Sequence, residues 1–402
     1  MNASHSTIIV TCASHTTPYL RREIEQLGFP VLGESHLNIE TEGSLNDCIK
    51  LNLCLRNAQR VLYQIAEFPA KDAAELYNEA HNIYWETIFK EDAFLSVHSF
   101  VDNETINDNR FANVKVKDAI VDRLRNVTGK RPDSGPGNTG AVIFLHWKDN
   151  RASLSLDTSG ESLSKRGYRK MPYKAPMQEV LAASCIFASA WDAESNFINP
   201  MCGSGTLAIE AALIATNRAP GLLRENFAFM HLRQFEEEEY KKLVNELESQ
   251  VKDLPENMSI IASDRNYNAV EAARFNARCA GVEHLITFEQ CNFEETTVPE
   301  GSGVVMLNPE YGMRMGEEEA LAITYHEIGD FFKQKCKGYM GYIFTGNLNL
   351  TKKVGLAAKR RIPFFNAQID CRLLEFEIYA GSKREPKPVG GEVGKDETMG
   401  IP

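Results

Sequence analysis

No run of apolar residues in this chain reaches the ~20 needed to cross a bilayer as a helix. The longest, VLAASCIFASAW from Val180 to Trp191, falls well short, and the N-terminus lacks the basic-then-apolar layout of a secretory signal. A cytoplasmic protein with no membrane partner is therefore expected. Also missing is any C-x-x-C pair: the nine cysteines are scattered, and no histidine stands at metal-ligand spacing from them. They read as buried thiols in a reducing compartment, and no metal site is expected. There is no G-x-x-x-x-G-K-[ST] loop and no G-x-G-x-x-G, so nucleotide hydrolysis and dinucleotide binding lack their essential parts. Net positive charge is absent too, and a formal charge of -11 argues against indiscriminate binding to polyanions.

What is present is enough apolar material for several cores. At 402 residues and 43% hydrophobic composition, two or three domains are expected. Residues 1–66 read as a small, ferredoxin-like α+β unit with the strand STIIVTCA, a helix opened by Thr17 and Pro18 and closed by Gly28, a second helix, and the strand RVLYQIAEF. Residues 67–160 hold a helix, a strand, a basic helix and a hairpin, AVIFLHW-KDN-RASLSLD. Residues 161–382 alternate strand and helix as a doubly wound parallel sheet does, and RIPFFNAQIDCRLLEFEIYA reads as a closing pair of strands. Residues 383–402, rich in proline, glycine and charge, are expected to be disordered.

The cations are unevenly spread. Seven Lys/Arg against two Asp lie between Arg110 and Arg131, and KRGYRKMPYK, from Lys165 to Lys174, has five Lys/Arg, no acid and two tyrosines. Basic residues interleaved with tyrosine suit RNA, whose phosphates need cations and whose unpaired bases stack on rings; they equally suit a solvated face. Lys130 and Arg131 sit in a Gly/Pro-rich loop able to approach a phosphodiester closely.

In NPMCGSGT a strand breaks into a glycine turn and restarts as a helix, so Gly203 and Gly205 can let the chain approach a ligand beside the N-terminal N–H groups of that helix. S-adenosylmethionine fits this turn better than a nucleotide phosphate. It also needs an acid after the second strand to accept from its ribose hydroxyls, and Asp264 in IIASDRN is that acid, or else a helix cap. Further on, VVMLNPEYG ends a strand in Asn308-Pro309-Glu310-Tyr311. Methylating an exocyclic base amine requires that the amine be gripped and its lone pair aimed. The Asn308 side-chain carbonyl and the Pro309 backbone carbonyl can accept its two N–H groups, and Tyr311 can stack on a base swung out of its helix or loop.

DTSGESLSKRGYRK, APMQEVLAAS, NPMCGSGTLAIEAAL, RAPGLLRENFAF, the N-P-x-Y-G turn and RIPFFNAQIDCRLLEFEIY together resemble the bacterial THUMP-domain guanine-N2 methyltransferases of large-subunit ribosomal RNA. The resemblance implies a class I, Rossmann-like methyltransferase domain behind a ferredoxin-like and THUMP RNA-binding region. It implies methyl transfer from S-adenosylmethionine to N2 of a guanine, in an enzyme expected to act as a monomer. By the same resemblance Asn199, Pro200, Gly203, Gly205, Thr206, Asp264, Asn292 and Phe293 surround the cofactor. Asn308, Pro309 and Tyr311 form the catalytic turn; from the basic stretches, Lys130, Arg131, Lys165, Arg166, Tyr168 and Arg169 are the residues expected to contact RNA. Three positions depart from the family pattern: Asn199 replaces an Asp that would meet the cofactor's ammonium, Glu310 replaces the second proline of N-P-P-Y, and Asn292 replaces an acid near the adenine amino group. Because of Asn199 and Glu310, a second reading is an RNA-binding ribosome-assembly factor with weakened chemistry. A third, amine methylation of DNA adenine or protein glutamine, leaves the basic N-terminal units unexplained.

Overall fold

The computed structural model describes residues 5–106, 108–174, 176–312 and 317–379. The tail expected to be disordered, residues 383–402, lies outside them. In the N-terminal half the elements run β1 (Ser6–Thr11), α1 (Thr17–Gln26), β2 (Gly33–Glu34), β3 (Asn38–Gly43), α2 (Leu45–Cys54), β4 (Arg60–Pro69), α3 (Ala73–Asn82), β5 (Leu95–Asp102), α4 (Asn109–Thr128), β6 (Ala141–Lys148) and β7 (Arg151–Asp157). The strands form one sheet in the order β2-β3-β1-β4-β7-β6-β5. The long strand β4 makes this continuity. One edge pairs with β1, Ile8 opposite Tyr63, and the other pairs with β7, Leu62 opposite Asp157, with a bulge between Gln64 and Ala66. The expected division after residue 66 thus falls inside β4. Ile8, Val10, Val61, Leu145, Trp147 and Leu154 belong to one shared core. Its two tryptophans are satisfied through backbone carbonyls, Trp85 by Ala80 at 2.7 Å and Trp147 by Ala70 at 3.0 Å.

The second half runs α5 (Glu179–Ala188), β8 (Asn196–Pro200), α6 (Thr206–Ala215), α7 (Glu237–Ser249), β9 (Ile260–Asp264), α8 (Tyr267–Cys279), β10 (Ile286–Gln290), β11 (Gly303–Leu307), α9 (Glu317–Lys335), β12 (Tyr339–Thr345), β13 (Arg360–Asn366) and β14 (Ile369–Glu377). The sheet order is β10-β9-β8-β11-β12-β14-β13, parallel from β10 to β12, with β14 and β13 antiparallel. The apolar runs follow from burial on both faces. Val304 and Met306 of β11 face the core built with α5, α6 and α8, while Val305 and Leu307 face the one built with α9. The carboxyl ends of β8, β9, β10 and β11 therefore lie along one edge, where open α/β sheets bind ligands.

The two halves are joined by buried polar groups. Glu23 of α1 accepts from the backbone N–H groups of Arg56 and Asn57 and from the Asn57 side chain, and Asn57 accepts from Ser184 of α5. Arg56 donates to the carbonyls of Leu213 and Arg218 in and beyond α6, and Arg166 donates to the Arg56 carbonyl at 2.6 Å. Among the described residues no helix is long and apolar enough to cross a membrane, and no group of three or more His, Cys, Asp or Glu could hold a metal ion.

Candidate active site

After β8 the chain turns through residues of positive φ, Met201 (55°), Gly203 (55°) and Gly205 (82°). The two glycines serve different ends. A Cβ on Gly203 would meet open space, so its backbone is exposed to a ligand, whereas a Cβ on Gly205 would sit 2.8 Å from the Cβ of Ala273. Gly205 therefore lets α6 pack on α8. Asp264, at the end of β9, accepts from the backbone N–H of Gly203 at 3.1 Å and from that of Asn266 at 2.9 Å. Asp264 is not the cap of α8, which is Asn266, whose side chain accepts from the Asn268 N–H; the acid instead fixes the turn before that helix and orders the glycine turn. α6 begins at Thr206 behind Gly205, with no side chain capping it.

Asn199 is buried, and its side-chain N–H donates to the Met306 carbonyl at 2.8 Å, while its side-chain oxygen has no hydrogen-bond partner. An unmet buried acceptor costs about 1–3 kcal/mol, so this atom suits a ligand bearing N–H groups, such as the ammonium of a methionyl moiety. Pro200 is buried beside it. Asn292 is exposed, and its side chain accepts from the backbone of Glu295 in a reciprocal capping box; Phe293 is buried edge-on against Phe331, with ring centroids 6.0 Å apart. The open Gly203, the Asp264 carboxylate and the orphan oxygen of Asn199 fit S-adenosylmethionine.

The turn after β11 lies one strand away. Tyr311 donates its phenol hydrogen to the Asn308 side-chain oxygen at 2.8 Å. Burial, reinforced by the nearby Cys371, pushes the Tyr311 phenol far above its ordinary range, so it remains a donor. Its ring packs toward Phe344 with centroids 6.3 Å apart, and its carbonyl accepts from Asn347. Buried Tyr325 hydrogen-bonds Thr345 at 2.8 Å and reaches the Glu310 carbonyl at 3.5 Å. The turn is thus braced from α9 and the end of β12, by residues that local motif reading missed. Glu310 itself is exposed and faces Lys174, carboxylate to ammonium at 3.8 Å.

The basic stretch from Lys165 requires correction. Lys165 is exposed and pairs with Glu161, but Arg166 and Tyr168 are 2% and 1% exposed. Tyr168 donates to Glu210 at 3.1 Å, and the Arg166 guanidinium lies 3.6 Å from the same carboxylate. Arg169 pairs with Glu179, donates to the hydroxyls of Ser204 and Thr206 at 3.0 and 2.9 Å, and takes the Met177 carbonyl at 2.8 Å. These three do not face RNA: their side chains turn inward onto buried acids, hydroxyls and carbonyls. Arg169 instead holds the glycine turn. α5 starts two residues beyond Met177, at Glu179. Asn276 of α8 supports the same region, accepting from the N–H groups of Lys170 and Met171 and donating to the carbonyls of Met171 and Ser204. Lys130 and Arg131 lie exposed beyond the left-handed Gly129 that ends α4, and Lys130 pairs with Glu91 at 2.6 Å.

Comparison with known proteins matches residues 166–375 to the RMKL-like methyltransferase domain, residues 7–62 to the RlmL ferredoxin-like domain and residues 70–157 to the THUMP domain. The chain is 37% identical over 380 residues to "Ribosomal RNA large subunit methyltransferase K/L" of Syntrophotalea carbinolica, covering 92% of this chain and 53% of that protein. It thus spans about half the length of that relative. It is 32% identical to "Putative RNA methyltransferase slr0064" of Synechocystis, covering 89% and 93% of the two chains. Among solved structures, SMU.472, described as "a putative methyltransferase complexed with SAH", superposes with a TM-score of 0.82 at 28% identity over 94% of this chain and 99% of that one. A Listeria monocytogenes structure described as a "predicted N6-adenine-specific DNA methylase" gives 0.82 at 30% identity over 93% and 97%.

Proposed function

Since this chain belongs to the RMKL-like methyltransferase family, with an RlmL-type ferredoxin-like domain and a THUMP domain before the catalytic fold, we propose that it methylates N2 of a guanine in large-subunit ribosomal RNA. S-adenosylmethionine supplies the methyl group. Asn199, Gly203 and Asp264 would hold it, with Pro200, Thr206, Asn292 and Phe293 around them. The observation that carries this reading is the hydrogen bond from Asn199 of β8 to Met306 of β11, which fastens the cofactor-side strand to the strand that leads into Asn308.

In this reading the Asn308 side-chain oxygen and the Pro309 carbonyl accept the two N–H groups of the target amine. That arrangement draws the nitrogen out of conjugation and aims its lone pair, an interaction that gains strength toward the transition state. The amine grows acidic as it is alkylated and gives its proton to water, so no general base is required. Tyr311 offers its ring to the extruded base. Lys130, Arg131 and Lys165 bind phosphates and position the RNA without reading its sequence.

Nucleoside mass spectrometry of ribosomal RNA tests this. A strain lacking the gene should lose one N2-methylguanosine, regained with the wild-type gene and not with Asn308→Ala. An unchanged nucleoside content would reject the activity.

A further inference from the structure

We propose that the Glu310 carboxylate reads the N1–H of the target guanine, and so selects guanine at a turn whose other groups grip any exocyclic amine. The inference rests on the guanine-N2 reading above and names the residue that enforces it.

Asn308 and Pro309 offer two carbonyl acceptors, which suit the N6 amine of adenine, the N4 amine of cytosine and the N2 amine of guanine alike. The bases differ in the ring nitrogen beside the amine. In adenine (N1) and in cytosine (N3) that atom is an acceptor, whereas in guanine N1 carries a hydrogen and is a donor. An ionised carboxylate accepts only. Placed beside the gripped amine it would bond to guanine, and it would set lone pair against lone pair with adenine or cytosine.

Glu310 is the next residue of the amine-gripping turn, and among the described residues its carboxylate is free of any partner within the turn that would hold it away from a base. It lies between Pro309 and Tyr311, and its side chain extends to Lys174 at 3.8 Å. Lys174 ends the stretch that Asn276 fastens, through Lys170 and Met171, to Ser204 of the glycine turn. The ion pair thus links the amine-gripping turn to the stretch that supports the glycine turn. Both partners of the ion pair are mostly exposed, 71% and 74%, so the pair is weak and yields readily to a better-placed donor. An acid on an RNA-facing surface repels phosphates, a cost that a hydrogen bond from a base donor offsets. The N1–H of guanine is that donor, and Lys174, once released, is free to meet a phosphate.

The test uses the full-length protein and a ribosomal RNA fragment carrying the mapped target, synthesised with guanosine, 2-aminopurine riboside or adenosine at that position. 2-Aminopurine keeps the N2 amine and turns N1 into an acceptor. In single-turnover assays the wild type should favour guanosine over 2-aminopurine by about 10²-fold or more, because a site built for a donor rejects an analogue lacking it. Glu310→Ala and Glu310→Pro should bring that ratio to within a few-fold, and Glu310→Gln, whose amide oxygen still accepts, should retain most of it. Since the variants are compared on the same pair of bases, the loss of O6 in 2-aminopurine cancels. An equal ratio in wild type, Glu310→Ala and Glu310→Pro would overturn the role of Glu310 while leaving guanine methylation intact. Wild-type methylation of the adenosine fragment and not of the guanosine fragment would overturn the guanine reading itself, and the role of Glu310 with it.

Discussion

The Tyr311 phenol donates to the Asn308 side-chain oxygen at 2.8 Å, so the acceptor assigned to the target amine is already engaged by its own turn. The bond satisfies a polar atom that would otherwise wait unpaired, and an entering base must displace it. Tyr311→Phe should therefore leave the single-turnover methylation rate within a few-fold of wild type, because the ring face remains and the competing hydroxyl is gone. Tyr311→Ala should weaken RNA capture. The phenol's upward-shifted pKa adds a second check: it stays protonated across the working range, so wild type and Tyr311→Phe should share the same pH-rate profile above neutrality. A large rate loss in Tyr311→Phe would give the hydroxyl a direct part in the reaction.

Asp264 braces the glycine turn through the backbone, besides being the acid proposed for the cofactor's ribose. Asp264→Ala leaves the N–H groups of Gly203 and Asn266 without their acceptor and removes the partner proposed for the ribose hydroxyls. A loss of about 1–3 kcal/mol in S-adenosylmethionine affinity is expected, read by titration calorimetry, with RNA affinity unchanged. Equal cofactor affinity in the variant would reduce Asp264 to a brace for the turn before α8.

Much of the candidate site was legible because glycine, proline or an acid breaks off the apolar strands: the Gly203 turn, Asp264 and the Asn308 turn each close an apolar run. What escaped is held by partners remote in sequence. Asn276 sits in mid-helix with no motif around it, yet it joins Met171 to Ser204, residues 105 and 72 positions away. Tyr325 lies in α9 and meets Thr345 across the fold. The pairing of β3 with β1 was equally hidden, since NIETEG is polar and Ile39 is its one large apolar residue in the core. Arg166 and Tyr168 misled because composition counts charges and rings without saying which way the chain turns them.

Cys202 stands inside the glycine turn, where a nucleophile would suggest carbon methylation of a pyrimidine. Burial and the adjacent Asp264 carboxylate push its thiol far above the ordinary range, so the reactive thiolate is scarce at neutral pH. Cys202→Ser should methylate ribosomal RNA within a few-fold of the parental rate. Alkylation at pH 8 should mark exposed Cys279 well before Cys202. Faster labelling of Cys202, together with an inactive serine variant, would return covalent catalysis to consideration.

The basic residues divide into two groups that one set of measurements can separate. Arg169 is mostly buried, pairs with Glu179 at 3.1 Å and donates to Ser204 and Thr206, so its removal strands a carboxylate and frees the glycine turn. Breaking such a pair from one side costs about 3–5 kcal/mol. Arg169→Ala should lower the melting temperature by several degrees and weaken cofactor binding. The salt dependence of its RNA binding should not change, because no phosphate contact is lost. Lys130 and Arg131 are exposed, and the double reversal Lys130→Glu with Arg131→Glu should do the opposite. Melting temperature and cofactor affinity should hold, while RNA affinity falls and the slope of log affinity against log salt drops by about one to two. Lys130 already pairs with Glu91, so part of its charge is spent within the protein, and the lower end of that range is expected if RNA does not displace the pair. A changed salt slope in Arg169→Ala at an unchanged melting temperature would put the Arg169 side chain back on the RNA. An unchanged slope in the double variant would make the end of α4 a solvated surface.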